Sequence, residues 1–148
     1  MLVIAIGLPL VLFTDVFVQG ALADKEKEDV VVIGNKSVPE RSLSKTEIQN
    51  IFLGKKKRDD GTSITFVNLQ GGPLHEIFLK KYLSRTPAQY KKYWKKMIFS
   101  GKAKTPKAFK TEQALIEHVE KTEGTIGYID AETARKIESD RLSLFSIQ

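Results

Sequence analysis

Three segments decide the fold: VVVIG at residues 30–34, LSKTEIQNIFLG at residues 43–54 and ITFV at residues 64–67. The first and third are short β-branched runs, the pattern of strands that are buried on both faces. In the middle segment Ser44 and Glu47 have the spacing of a capping box, and Gly54 is typical of a helix end. Strand, helix and strand in this order predict a βαβ unit with parallel strands and a right-handed crossover.

The remainder of the chain continues the α/β pattern. Further helices are predicted to begin at Pro73, Thr86, Thr111 and Asp130, further strands cover 125–129 and 142–147, and a turn covers 59–61. We therefore expect a single α/β domain with a mixed, mostly parallel sheet of about four strands flanked by helices. Phe52 and Trp94 are predicted to lie in its core.

The composition excludes several classes of function. The 148 residues suffice for one domain, and 41% apolar and 28% charged residues are ordinary for a globular protein. The absence of cysteine excludes disulfides, thiolate metal sites and a cysteine nucleophile. The two histidines, His75 and His118, form no zinc-protease motif, and no nucleophile elbow is present. We therefore predict a protein that is not an enzyme and holds no metal or cofactor.

Residues 1–23 have the features of a signal peptide. The stretch LVIAIGLPLVLF at 2–13 is almost wholly apolar, and Ala21-Leu22-Ala23 is an A-x-A cleavage pattern. These twelve residues would span about 18 Å as a helix, short of the roughly 30 Å hydrocarbon core of a bilayer. We predict export, to the periplasm in a Gram-negative cell, with a mature domain over 24–148. An uncleaved N-terminal membrane anchor is the alternative.

Positive charge is concentrated in one part of the chain. The predicted mature chain carries 24 basic and 17 acidic side chains, and no acid lies between Glu76 and Glu112. Eleven basic residues fall in that interval: Lys80, Lys81, Arg85, Lys91, Lys92, Lys95, Lys96, Lys102, Lys104, Lys107 and Lys110. Such a lysine stripe attracts phosphates, polyphosphates, nucleic acids and anionic lipid surfaces at long range. The alternative is a solvated helix face with no binding role.

The helix predicted after Thr86 carries aromatic residues as well as lysines. Tyr90, Tyr93 and Trp94 recur at helical spacing and point to one side, whereas the lysines at 91, 92, 95 and 96 lie on the other. Interleaved aromatic and basic residues can stack the bases of single-stranded nucleic acid. Because the aromatic residues share the spacing of a buried face, we assign them to the core and do not expect a nucleic-acid partner.

A glycine-rich turn is the candidate binding feature. In open α/β sheets ligands bind beyond the carboxyl ends of the strands, where N–H groups at a helix start can approach an anion. The segment 71–75 (GGPLH) follows the strand at 64–67 in this way, and the loop at 34–37 follows the first strand. The predicted contacts to a small anion or polar ligand are Asn35, Ser37, Gly71, Gly72, Leu74 and His75. A tight turn without a ligand is the alternative.

A resemblance covers the chain from about Val30 to the C-terminus. The segment Leu43-Ser44-x-x-Glu47-Ile48-x-x-Ile51-Phe52-x-Gly54-Lys55 and the segment Gly124-Thr125-Ile126-Gly127-Tyr128 carry it, with Phe99-Ser100-Gly101 between them. In these residues the chain resembles the phosphate-binding-protein-like family, which is related to the periplasmic substrate-binding protein of the phosphate ABC transporter. The resemblance implies an exported, single-lobe member of a fold in which two α/β lobes enclose an oxyanion.

The chain departs from that family at the turn itself. Where the transporter proteins carry Ser-Gly-Thr-Arg, this sequence has Gly72-Pro73-Leu74-His75. The missing hydroxyl and guanidinium groups are those that give charge-assisted contacts to phosphate. We therefore expect weak phosphate binding, strengthened by the substitution His75→Arg.

Three functions remain open from the sequence. The chain can be a solute-binding module for a small anion or polar ligand, connected with transport or sensing. It can be an interaction protein that docks on a membrane transporter, sensor or porin, or on a second copy of itself. It can also bind a polyanion or a membrane surface through the lysine stripe.

Overall fold

The computed structural model describes residues 30–57 and 64–148. The predicted signal peptide over 1–23 and the predicted turn over 59–61 lie outside the described residues. In chain order the described elements are β1 (Val30–Asn35), β2 (Ser42–Leu43), α1 (Lys45–Phe52), β3 (Thr65–Leu69), α2 (Pro73–Phe78), a π-helical turn (Leu79–Leu83), α3 (Pro87–Phe99), β4 (Lys107–Phe109), α4 (Glu112–Lys121), β5 (Thr125–Asp130), α5 (Ala131–Lys136), β6 (Leu142–Leu144) and β7 (Ser146–Ile147).

The main sheet has the strand order β4-β3-β5-β1-β6. β3 pairs in parallel with both β4 and β5, whereas β1 pairs antiparallel with both β5 and β6. Four of these five strands therefore share one direction, and β1 runs against them. This confirms the predicted mixed, mostly parallel α/β sheet, with five strands in place of about four. A second, two-stranded sheet joins β2 and β7 in parallel.

The predicted βαβ unit is wrong. β5 lies between β1 and β3, and the register of Val30 opposite Asp130 and of Gly34 opposite Ile126 is antiparallel. Thr65 lies opposite Thr125 in a parallel pair, so β1 and β3 run in opposite directions. A buried β-branched run forms a strand in either orientation, and its local pattern therefore names neither its neighbour nor its direction.

The predicted helix starts are present, and those at Ser44, Thr86, Thr111 and Asp130 have side-chain caps. Ser44 and Glu47 form a complete capping box at α1, and Thr86 and Gln89 form a second one at α3. The Glu47 carboxylate also accepts a hydrogen bond from Lys56 Nζ at 2.5 Å. This bond, together with the Ser44 backbone N–H, lowers the pKa of Glu47 to about 2.

The core contains the residues that the sequence assigned to it. Phe52 is fully buried and Trp94 is 7% exposed. Phe52 packs edge-on against Phe78 at a centroid distance of 4.6 Å, and Phe78 stacks on Tyr128 at 3.8 Å. This aromatic cluster joins α1, α2 and β5, so it fixes the helix that follows β3 against the sheet.

The C-terminal segment predicted as one strand over 142–147 divides at Phe145. β6 pairs with β1, whereas β7 pairs with β2 in the small sheet. The Phe145 side chain between them is buried, and its ring lies over Gly34, where an added Cβ would meet it at 2.5 Å. None of the helices in 30–57 and 64–148 has the length and hydrophobicity needed to cross a bilayer.

Candidate functional site

The three neighbouring parallel strands end at one edge of the sheet, which we call the carboxyl edge. β3 ends at Leu69, β4 at Phe109 and β5 at Asp130, and the chain then enters α2, α4 and α5 respectively. The starts of three helices are thereby brought to the same edge. In α/β sheets this is the edge at which ligands bind.

Two of the three helix starts at this edge are occupied by the protein's own side chains. Thr111 Oγ1 accepts a hydrogen bond from Ala114 N at 3.2 Å and caps α4, while Asp130 Oδ1 accepts one from Glu132 N at 2.7 Å and caps α5. Glu112 Oε1 accepts the N–H of Asp130 at 2.6 Å. These N–H groups are therefore not available to a ligand.

The start of α2 lacks such a cap. Its N-cap residue is Gly72, with φ 90° and ψ 171°, and no side chain accepts a hydrogen bond from the first turn. Gly71, Gly72 and Pro73 are exposed, and Pro73 has no N–H to leave unpaired. The backbone N–H groups of Leu74 and His75 are those that an anion at this helix start would meet.

The His75 side chain does not extend from this turn toward solvent. It is 7% exposed, and its Nδ1 lies 2.5 Å from the Tyr128 hydroxyl. That hydroxyl also accepts a hydrogen bond from Leu69 N at 3.0 Å, so it bonds to both Leu69 and His75. Burial lowers the pKa of His75, against a smaller opposing effect of Glu76, and so favours the neutral form of the ring.

Tyr128 is thus a site residue that the sequence reasoning did not identify. Its hydroxyl joins the last residue of β3 to the first turn of α2, and burial raises its pKa well above 10. A tyrosine within an otherwise apolar strand was the available signal, because a buried hydroxyl requires a hydrogen-bond partner. The Tyr128 hydroxyl therefore links the turn between β3 and α2 to strand β5.

The position of His75 also changes one expectation drawn from the family resemblance. An arginine at this position would place its stem in the aromatic core beside Tyr90 and Tyr128, whose rings lie 6.1 and 6.2 Å from the imidazole. A guanidinium there needs a partner or an exit to water. The substitution His75→Arg is therefore expected to destabilise the turn and not to strengthen phosphate binding.

Asn35 and Ser37 lie at the opposite edge of the sheet. Because β1 is antiparallel to β5, its end at Asn35 is next to the start of β5, about 16 Å from the carboxyl edge at 3.3 Å per residue. Asn35 Nδ2 donates to the carbonyls of Val119 and Glu120, and Ser37 Oγ accepts the N–H of Gly124 at 2.8 Å. The prediction that they share one site with Gly71–His75 is wrong, and their side chains connect β1 to the end of α4.

A shallow cavity of about 480 Å³ lies beside the uncapped helix start. It is lined by Pro73, Leu74, Ile77, Glu112, Asp130, Glu132, Thr133 and Lys136. Lys136 Nζ is 2.7 Å from Glu132, so the one cation of the lining already has a carboxylate partner. Three carboxylates near an anion raise its free energy, and the site therefore does not favour a doubly charged phosphate.

The lysines of α3 are exposed, and the buried aromatic residues of that helix are Tyr90 and Trp94. Their rings are therefore not available to stack on bases. Within 30–57 and 64–148 no cluster of three histidine or acidic side chains could hold a metal ion.

No protein-family model and no curated protein matches the sequence. Solved structures do match. They include an ABC-type phosphate transport receptor from Vibrio cholerae (9% identity, TM-score 0.57) and PstS from Borrelia burgdorferi (17%, 0.53). A third is described as a phosphate ABC transporter substrate-binding protein from Clostridium perfringens and was solved with bound phosphate (15%, 0.59).

Each of these matches covers 80% of the chain but only 44–47% of the solved structure. The chain therefore spans less than half the length of these proteins, and the likeness is one of fold. It agrees with the predicted single lobe of a periplasmic-binding-protein-like α/β fold.

Proposed function

We propose that the protein is a non-catalytic solute-binding module that binds a small anion or polar ligand weakly at the carboxyl edge. The observation that carries the proposal is the uncapped start of α2 at Gly72, between two helix starts that are capped by Thr111 and Asp130. The ligand-contacting groups are the backbone N–H groups of Leu74 and His75, with Gly71 and Gly72 allowing close approach.

The geometry of the edge supports low affinity for phosphate. A helix start contributes about 0.3–1 kcal/mol to an exposed anion, and no arginine or free lysine lines the cavity to add a charge-assisted bond. Glu112 and Asp130 act against a doubly charged anion. Affinity in the millimolar range is the result we expect, since a few weak contacts supply no more than about 4 kcal/mol.

A second protein surface that covers the carboxyl edge would raise the affinity for phosphate. The solved phosphate-transport proteins that share the fold are more than twice as long as the matched part, and the chain has the length of one lobe. We propose that a partner, either a membrane transporter component or a second copy of the chain, covers the carboxyl edge in the working complex. Export after cleavage at Ala23 forms part of the same proposal, since the apolar segment at 2–13 and the A-x-A pattern support it.

Titration of the ¹⁵N-labelled protein with inorganic phosphate tests the proposal. We expect millimolar binding, with amide shifts at Gly71, Gly72, Leu74 and His75. Micromolar binding, or shifts confined to other parts of the sheet, would show that the site is wrong.

A matched pair of variants tests whether phosphate binds in the cavity beside the start of α2. Glu112→Gln keeps the oxygen that accepts the Asp130 N–H but removes its charge, so phosphate affinity should rise about threefold. Glu117→Gln makes the same charge change on the same helix, outside the cavity lining, and should alter the affinity less. Equal effects would indicate attraction by net charge alone and would count against this location.

A further inference from the structure

A second concavity lies at the far end of the helical segment that starts at the carboxyl edge. α2 continues into the π-helical turn Leu79–Leu83 and stops at Ser84, whose φ of 52° is left-handed. The eleven residues from Pro73 to Leu83 separate this end from Gly72 by about 16 Å. A cavity of about 390 Å³ here is lined by Leu83, Ser84, Arg85, Gln89, Lys92, Tyr93 and Lys96, which we call the basic concavity.

The charges of the basic concavity are all positive. Arg85, Lys92 and Lys96 line it, and no carboxylate does. In the part of the chain that the structure describes, none of the three forms an ion pair. Lys92 and Lys96 are four residues apart on one helix, where like charges repel each other. A bound anion would relieve that repulsion.

Neighbouring groups hold the shape of the basic concavity. The Tyr93 hydroxyl donates to the carbonyl of Leu53 at 2.6 Å, and the Arg85 guanidinium lies over the Tyr93 ring at 5.1 Å. Gln89 Oε1 accepts the N–H of Thr86 at 2.9 Å, which leaves the Gln89 amide N–H groups as donors. Gln89, Lys92, Tyr93 and Lys96 have the spacing of a single helix face.

We propose that the basic concavity binds a multiply charged phosphoryl group, carried by a soluble polyphosphate or by an anionic lipid headgroup. A planar guanidinium can donate two parallel hydrogen bonds to phosphoryl oxygens, and the two lysines add point charges from α3. This site lies away from the carboxyl edge and does not depend on the function proposed there.

The exposed side chain of Phe99 allows a lipid headgroup to be distinguished from a soluble polyphosphate. It is 89% exposed at the last residue of α3, on the same helix as Lys92 and Lys96. An exposed aromatic ring beside basic residues adds affinity at a membrane surface, where it enters the boundary of the acyl chains, but adds none for a soluble anion. Phe99→Ala therefore separates the lipid source from the soluble one.

The test is calorimetry of the purified protein with tripolyphosphate and sedimentation with vesicles containing phosphatidic acid, whose phosphomonoester can carry two negative charges, both at low salt. The double substitution Lys92→Gln/Lys96→Gln should weaken tripolyphosphate binding about tenfold or more, since it removes two charge-assisted contacts. Lys91→Gln/Lys95→Gln makes the same change in net charge, at the same spacing, outside the cavity lining, and should weaken it about threefold or less. All four lysines are exposed, so the variants should fold, which circular dichroism checks.

The proposal is wrong if the wild-type protein binds neither tripolyphosphate nor the vesicles. It is also wrong if the two double variants lose binding to the same extent. Selective loss in Lys92→Gln/Lys96→Gln supports it for either source. If Phe99→Ala then lowers vesicle binding and leaves tripolyphosphate binding unchanged, the phosphoryl group belongs to a lipid. If it changes neither, the ligand is the soluble anion.

Discussion

The two ends of the helical segment from Pro73 to Leu83 differ in a way that bears on function. Its start lies where three parallel strands end and has first-turn N–H groups that no side chain caps, but three carboxylates line the cavity beside it. Its other end has three cations, none of which forms an ion pair within residues 30–57 and 64–148, but it lies away from the strand ends. In this molecule the position at which α/β proteins bind ligands and the charge that attracts anions are therefore separated.

The two ends also differ in what anchors them. The start is fixed by a buried hydroxyl, that of Tyr128, which bonds both Leu69 and His75. Beside the far end, the hydrogen bond that shapes the basic concavity is that of the half-buried Tyr93, which donates to one carbonyl, that of Leu53. A difference of this kind predicts that disturbing the start affects the whole fold and that disturbing the far end affects its surroundings only.

The largest expected effect is that of Tyr128→Phe. The ring can stay stacked on Phe78, but the N–H of Leu69 and the Nδ1 of His75 both lose a buried partner. Unsatisfied buried groups cost about 1–3 kcal/mol each, so with two such groups we expect the free energy of unfolding to fall by about 2–6 kcal/mol in urea denaturation.

Tyr93→Phe is the matched control for that measurement. It removes one hydrogen bond, at a half-buried position, and should cost about 0.5–1.5 kcal/mol. Equal losses in the two variants would mean that the Tyr128 bonds do not anchor the turn.

The next effect concerns the backbone of the turn. Gly72 has φ 90° and ψ 171°, a region that only glycine adopts readily, although an added Cβ would meet no atom within 4 Å. Gly72→Ala should therefore cost about 1–3 kcal/mol through strain alone. Gly71→Ala, where an added Cβ also meets nothing and φ is not positive, should change thermal stability by less than about 1 kcal/mol. If Gly72→Ala were as stable as Gly71→Ala, the uncapped start of α2 would not require this backbone.

The pH dependence of stability tests the burial of His75. Burial lowers the pKa of His75 below its ordinary 6.5, so below pH 6.5 the unfolded chain binds more protons than the folded one. The stabilising contribution is complete above pH 6.5 and is lost as the pH falls, with a slope of at most about 1.4 kcal/mol per pH unit. Urea unfolding between pH 7 and pH 5 should show this slope, and His75→Gln should remove it.

Two other groups provide the comparison for that profile. Burial also lowers the pKa of His118, with Lys107 adding to the effect, but this ring is half-buried, so His118→Gln should leave most of the slope. Glu47 has its pKa lowered to about 2 by Lys56, and its contribution is lost only as the pH falls from 4.5 toward 2. A profile that responds to His118 instead of His75 would contradict the buried position of His75.

Local features of the fold were predictable from the sequence because neighbouring residues determine them. Both capping boxes and the burial of Phe52 and Trp94 follow from spacing along one helix. The pairing of strands is a long-range property, and the β-branched run at 30–33 carries no information on whether β3 or β5 becomes its neighbour. The direction of β1 was therefore predicted wrongly.

The same limit explains what the sequence missed at the site. Asn35 and Ser37 were placed with Gly71 because the prediction assumed that β1 and β3 are parallel. The hydrogen bond between His75 and Tyr128 joins residues 53 positions apart, and no local sequence pattern predicts that these two residues pair. The lysine stripe was visible in the sequence, but its concentration around Arg85 depends on how the turn at Ser84 meets α3.

The smallest expected effects have opposite signs at the two ends. At the basic concavity, Lys92 and Lys96 repel each other without a carboxylate between them, so Lys92→Gln/Lys96→Gln should raise stability by about 0.2–0.5 kcal/mol at low salt. At the carboxyl edge, Lys136 pairs with Glu132 on one turn of α5, so Lys136→Gln should lower stability by a similar amount. Both differences should vanish near 1 M salt, where the Debye length shrinks to about 3 Å. Melting temperatures at low and high salt measure both.

A loss of stability in Lys92→Gln/Lys96→Gln that persists in high salt would show that the lysine stems pack against the protein and are not held in place against their own repulsion. In that case Lys92 and Lys96 would not destabilise the folded protein by repelling each other. An anion bound in the basic concavity would then have no repulsion to relieve.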